Sequence, residues 1–202
     1  MPTPSQRDAL AARGFRNLRV WGRGVDTSLF RPDNPATLQG PRPVLMYMGR
    51  VAVEKNIEAF LDLNLPGAKV IIGDGPDRER LSQVYPDCHF LGYKFGRELA
   101  RHIAGADVFV FPSKTDTFGI VLLEAMACGL PVAAYPVPGP RDVVDDGVSG
   151  VLDEDLEVIV TESQRLTRLV NNVLDFGRLE QGRKRYTQAN LDLAELVPPE
   201  RS

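Results

Sequence analysis

Cysteine is scarce in this chain, with only Cys88 and Cys128 among 202 residues. Both lie in apolar stretches without metal-ligand spacing. They read as reduced, buried thiols of a cytosolic protein, and neither a disulfide framework nor a metal is expected. Charge of one sign is also missing: 24 Lys and Arg stand interspersed among 27 Asp and Glu, for a net charge of −3. That balance argues against a nucleic-acid duplex held by a basic face. No apolar run is long and clean enough to span a bilayer, because the longest, Gly119 to Val137, is interrupted by Glu124. The opening MPTPSQRDALAARGF lacks the charged start and apolar stretch of a secretion signal, so a cytoplasmic location is expected. Peripheral membrane contact stays open, although no basic amphipathic helix demands it.

What is present is an alternation of two apolar periods. Short runs rich in Val, Ile, Phe and Tyr occur at Leu18–Trp21, Val44–Met48, Lys69–Ile72, His89–Leu91, Val108–Phe111 and Val132–Tyr135, each closed by Gly, Pro or Ser. Helical patterns fall between them at Glu54–Leu63, Asp77–Tyr85, Arg97–Ala104, Gly119–Cys128 and Arg141–Asp145. The strands are apolar throughout, not at every second residue, so both faces of their sheet must be covered. This predicts a doubly wound, parallel α/β domain. Ligands of such sheets lie at the carboxyl ends of the strands, which directs attention to the loops that follow them.

Four of these loops carry chemistry. GRVAVEKN, after the second run, places Gly49, Arg50 and Lys55 where a helix opens. Backbone amides, a planar guanidinium and a mobile ammonium suit a diphosphate there, and a solvated pair beside Glu54 fits the same residues. GDGP, with Gly73 and Gly75, is a tight turn that lets a flat ring or a phosphate approach the main chain, but a lone GxG mostly marks a turn. Gly92, Tyr93 and Lys94 follow the next strand, where their backbone suits the edge of a base, with a purely structural glycine equally compatible. The fourth loop, PSKTDTFGIVLLEAMACGLPV, sets Asp116 seven intervening residues before Glu124. Two helical turns of 3.6 residues bring the second carboxylate beneath the face of the first. A carboxylate accepts two hydroxyl hydrogen bonds, so a sugar diol and a ribose diol are natural partners for Asp116 and Glu124. An exposed Asp and a surface Glu explain poorly a Glu embedded in VLLEAMA.

The stretch from about Arg13 to Asp153 resembles the donor-binding, C-terminal domain of the group 1 glycosyltransferases, a large retaining family with the two-domain GT-B fold. The likeness rests on GVDTSLFRP, GRVAVEKN, IIGDGP, ADVFVFPS, DTFGIVLLEAMACGLPV and GPRDVVDDGVSG. It implies that Arg50 and Lys55 hold the diphosphate of a nucleotide sugar, with Gly49, Gly73 and Gly75 beside it. Glu124 would hold the ribose, Gly92 to Lys94 would flank the base, and the segment Asp116, Thr117, Phe118 and Gly119 would meet the transferred sugar, with Val121 also among the residues binding the nucleotide sugar. The nucleotide sugar is a substrate, so no cofactor is implied. One departure stands in the key motif: the family usually carries Glu where this chain has Asp116. PVPGPRDV suggests a bacterial subgroup acting on lipid or polysaccharide acceptors.

The resemblance divides the chain in three. Residues 1–16 look like a remnant of an acceptor-binding domain and its connecting segment, residues 17–153 like the nucleotide-sugar domain, and residues 154–202 like an appended helical tail. In the tail Leu166, Leu169, Val170, Val173 and Phe176 form an apolar stripe at helical spacing. The segment resembles the second helix of the dimerisation domain of sensor histidine kinases, which implies pairing between chains, while packing on its own domain fits as well. Neither His89 nor His102 lies in a phosphoacceptor motif, so kinase activity is not expected.

Overall fold

The computed structural model describes residues 3–115 and 119–166. They contain a parallel sheet of strands β1 (Val44–Met48), β2 (Ala68–Ile72), β3 (His89–Gly92), β4 (Val108–Phe111), β5 (Val132–Ala134) and β6 (Gly150–Leu152), in the order β3-β2-β1-β4-β5-β6. All neighbouring pairs run parallel. The expected doubly wound α/β sheet is therefore present, with its order reversing between β1 and β4.

Successive residues of a strand enter opposite layers. Val44, Met46 and Met48 of β1 join Phe109, Phe111, Val70 and Ile72 in one core, whereas Leu45 and Tyr47 join Val108, Val110 and Ile71 in the other. Two-sided burial of this kind produces continuous apolar runs. The first layer is closed by α4 (Gly96–Ala104) and α5 (Ile120–Ala127), through Ala100, Ile103, Leu122 and Ala125. The second is closed by α2 (Ile57–Leu61), α3 (Arg78–Val84) and a helix α7 at residues 156–166, through Phe60, Leu81 and Ile159.

Several elements differ from the sequence reading. Leu18–Trp21 forms no strand, since no strand among the described residues pairs with it, and Trp21 is 83% exposed. Apolar composition proposes a strand, but only a neighbouring ladder makes one. The expected helix Glu54–Leu63 is a 3-10 turn at Val53–Lys55 followed by α2, broken at Asn56, whose φ of 53° is left-handed. A first helix, α1 (Pro4–Ala11), was not expected, although Thr3 caps it and Pro4 stands in its first turn. The helix placed at Arg141–Asp145 is α6 (Pro138–Val143), started by its proline and ended where Val144 turns extended. The packed unit continues past residue 153: Leu156, Ile159, Val160 and Ser163 of α7 are buried, and the Ser163 hydroxyl donates to the Val132 carbonyl at 3.3 Å. The stripe from Leu169 onward, and the pairing expected of it, lies outside the described residues.

At the carboxyl edge the loops lie main chain on main chain. The Gly49 amide donates to the Ile72 carbonyl at 3.0 Å, Val51 to Asp74 at 2.9 Å, and Gly73 to Gly92 at 2.9 Å. A Cβ on Gly73 would stand 1.9 Å from the Gly49 carbonyl oxygen, and one on Gly75 would stand 2.2 Å from that of Val51. Pressure from a neighbouring loop therefore requires glycine at both positions. Gly73→Ala is expected to cost roughly 3 kcal/mol or more in denaturant unfolding, through collision and a φ of 131°. Gly96→Ala, with a φ of 52° but open space around it, should cost only about 1 kcal/mol.

Candidate functional site

Where the strand order reverses, the loops after β1 and β4 splay apart and leave a crevice. It has a volume of about 380 Å³ and is lined by Gly49, Arg50, Glu54 and Lys55 from the first loop and by Gly119 and Val121 from the second, with Tyr47, Met48 and Phe111 as its floor. Gly119 has a φ of 69° and leads into α5, whose first turn has neither a side-chain cap nor an acidic residue. Its first amides and the positive end of its dipole thus meet a cationic loop, which is an arrangement made for an anion. Arg50 is 65% exposed and only loosely tied to Glu54, at 3.8 Å, so an incoming oxyanion could recruit it at little cost.

The two loops are fastened to each other. Asn56, in its left-handed conformation, donates from its amide to the Pro112 carbonyl at 3.0 Å, and Thr115 donates to the Glu54 carbonyl at 3.4 Å. Beneath them the Tyr47 hydroxyl donates to the Arg50 carbonyl at 2.9 Å and holds the cationic loop in shape. Sequence reasoning passed over Asn56 and Tyr47. Asn was a readable signal, since it adopts the left-handed region more readily than other side chains. No local signal marked the tyrosine.

Glu124 lies one turn beyond Val121 on the same face of α5. It is half-buried and makes no hydrogen bond or ion pair with any described residue, and burial pushes its carboxyl above the usual range. An unpartnered carboxylate of this kind is costly unless a ligand supplies donors. The same desolvation, with a smaller contribution from Glu124, raises the Cys128 thiol to about 11. Asp116, Thr117 and Phe118 lie outside the described residues.

The remaining candidates stand apart from the crevice lining. Gly75 borders a neighbouring hollow of about 420 Å³ with Asp74 and Arg78, and Gly73 is taken up by the loop contact already described. Gly92, Tyr93 and Lys94 end β3, at the margin of the sheet. There Tyr93 stacks on Phe95 with ring centroids 5.8 Å apart, and Lys94 pairs with Glu98 at 2.7 Å. Arg78, also passed over in the sequence, has a buried Nε without a partner. Among the described residues no group of His, Cys, Asp or Glu could hold a metal, and no helix is long and apolar enough to cross a membrane.

Residues 42–172 match the sequence family described as "Glycosyl transferases group 1". A GDP-mannose-dependent alpha-mannosyltransferase of Mycobacterium tuberculosis is 37% identical over 159 residues, which cover 75% of this chain and 42% of the relative. The sulfoquinovosyl transferase SQD2 of Arabidopsis thaliana is 35% identical over 176 residues, 78% of this chain and 34% of that one. The chain thus spans about two-fifths of the length of these curated relatives or less. Among solved structures, Anabaena Alr3699/HepE with UDP and glucose superposes with a TM-score of 0.64 at 19% identity, covering 81% of this chain and 52% of that one. The lipopolysaccharide outer core galactosyltransferase WaaB gives 0.63 at 22%, covering 84% and 52%. At these identities the likeness is one of fold, the Rossmann-like domain of GT-B enzymes.

The burial of Glu124 has a measurable consequence. A carboxyl whose pKa is higher folded than unfolded penalises the folded state in full once the solution is more alkaline than the folded value, and the penalty fades as pH falls from there toward the ordinary carboxyl range. Glu124→Gln should therefore raise the ligand-free thermal midpoint at neutral pH, with the gain shrinking in acid. An unchanged or lower midpoint at pH 7 would mean that the carboxylate has a partner after all.

Proposed function

The chain belongs to the group 1 glycosyltransferases, and from that membership we propose that its crevice binds a nucleoside diphosphate sugar and serves as the donor half of a retaining glycosyl transfer. The observation that carries this reading is the meeting of Arg50, Lys55 and the uncapped start of α5 across one crevice of about 380 Å³. Such a crevice suits a diphosphate, which is both the handle of the donor and the leaving group of the transfer. In the reaction the bond from the anomeric carbon to the diphosphate breaks and a bond to an acceptor hydroxyl forms on the same face. The acceptor's proton passes to the departing diphosphate oxygen, so no protein nucleophile is required. The two cations and the helix start stabilise the negative charge that develops on the diphosphate, a contribution that grows toward the transition state.

In the same reading Glu124 accepts hydrogen bonds from the ribose hydroxyls, which supply the donors its half-buried carboxylate lacks among the described residues. Asp116 takes the hydroxyls of the transferred sugar, with Thr117 and Phe118 beside it, and the Gly92–Lys94 margin flanks the base. The acceptor, of lipid or saccharide class, is held by a part of the enzyme outside these 202 residues. The relatives' greater length supports that division. GDP-mannose is the first donor to test, because relatives of this chain are named for their dependence on it.

Lys55→Ala should weaken nucleoside-diphosphate binding in calorimetry by about 1.5–3 kcal/mol, roughly ten- to a hundredfold, as a charge-assisted contact is lost. Unchanged affinity would remove the diphosphate from this crevice. Glu124→Gln should weaken GDP and GDP-mannose alike, whereas Asp116→Asn should weaken only the sugar conjugate. Equal losses on both ligands in both variants would overturn the division of roles.

A further inference from the structure

Beside α4, in a different place from the crevice and sharing none of its residues, lies a small polar hollow of about 140 Å³ between the helix and residues 28–34. Its lining holds three guanidinium groups, Arg31 from the loop and Arg97 and Arg101 from the helix, and one carboxylate, Asp33, together with Ser28 and Asn34. Arg97 and Arg101 are four residues apart and so share one face of α4.

Most of the local charge is already spoken for, which makes the remainder informative. Arg31 is neutralised by Asp33 through two contacts of 2.7 Å. Glu98 is taken by Lys94 at 2.7 Å and does not line the hollow. Arg101 spends its Nε on the Asn34 carbonyl at 3.1 Å, which fixes its orientation and leaves its terminal nitrogens. Arg97 makes no hydrogen bond or ion pair with any described residue. With Asp33 set against Arg31, two cationic charges, Arg97 and Arg101, converge without a paired acid among the described residues, in a chain whose net charge is −3.

We propose that this hollow is a second anion site, taking a phosphate group with at least two free oxygens. Its volume matches about four or five waters, near the five heavy atoms of a phosphate and far short of a nucleotide. Two guanidinium forks on one helical face suit the paired oxygens of a phosphate monoester, where ammonium groups would offer only point charges. The phosphate can belong to a soluble molecule or to a lipid head group, since the recognition chemistry is the same. The assignment does not depend on the donor reading of the crevice.

Inorganic phosphate titrated at low ionic strength into the full chain carrying Lys55→Ala, which weakens any phosphate site in the crevice, should show one saturable site. Adding Arg97→Glu should weaken it roughly tenfold or more. That substitution breaks no hydrogen bond or ion pair among the described residues and puts an acid in the first turn of α4, where the helix dipole favours it, so the thermal midpoint without phosphate should hold. Arg101→Gln should weaken binding independently. Flotation with vesicles of phosphatidic acid in phosphatidylcholine separates the sources. Flotation abolished by Arg97→Glu assigns a lipid head group, and phosphate binding without flotation assigns a soluble one. No saturable phosphate binding, or binding that neither arginine variant changes, overturns the proposal. Neither outcome bears on nucleoside-diphosphate affinity, which Lys55→Ala tests separately.

Discussion

Gly73 carries no Cβ, and the carbonyl oxygen of Gly49 occupies the space where one would stand. That contact, repeated between Gly75 and Val51, lets the turn after β2 lie directly on the loop after β1. The amide ladder from Gly49 to Ile72, Val51 to Asp74 and Gly73 to Gly92 then ties three successive strand ends into one platform. The cationic loop is one edge of this platform, so its backbone is fixed before any ligand arrives. Preorganisation of this kind is what allows a few charges to act strongly on a phosphate, because little reorganisation remains to be done.

Against this rigid edge stands a group that the described part of the fold leaves unsatisfied. Glu124 sits half-buried on α5 without a donor among the described residues, in a helix that is otherwise apolar. Stability alone would favour an uncharged residue there. The fold tolerates the cost next to a crevice that already holds two cations and an open helix start, and conflicts between local stability and composition tend to gather at functional sites. Asn56 contributes differently, accepting a left-handed backbone so that its amide can join the loops on either side of the crevice.

How far the sequence reveals this depends on the range of the forces involved. Val44–Met48 and Val108–Phe111 are legible because burial on both faces writes itself into every residue of a strand. Gly150–Leu152 was not, since three residues led by a glycine carry no period, and pairing with β5 alone makes them a strand. Leu18–Trp21 had the composition of a strand and lacked the neighbour. The cationic loop and Glu124 could be named from their positions after strands and within a helix, and the structure brings Arg50, Lys55, Gly119 and Val121 to one crevice. Why Gly73 and Gly75 must be glycines could not be read, because what presses on them lies more than twenty residues upstream. The hollow beside α4 was hidden for the same reason, as Arg31 meets Arg97 only through the folded chain.

Trp21 is the one tryptophan of the chain, and it lies outside both cores with 83% of its surface exposed. Its indole is already wet in the folded protein, so intrinsic emission changes little when the sheet melts. The same isolation makes it a built-in reporter of whatever comes to rest on the segment around residue 21, where a blue shift would mark the loss of water and tyrosine would be left to follow the sheet itself.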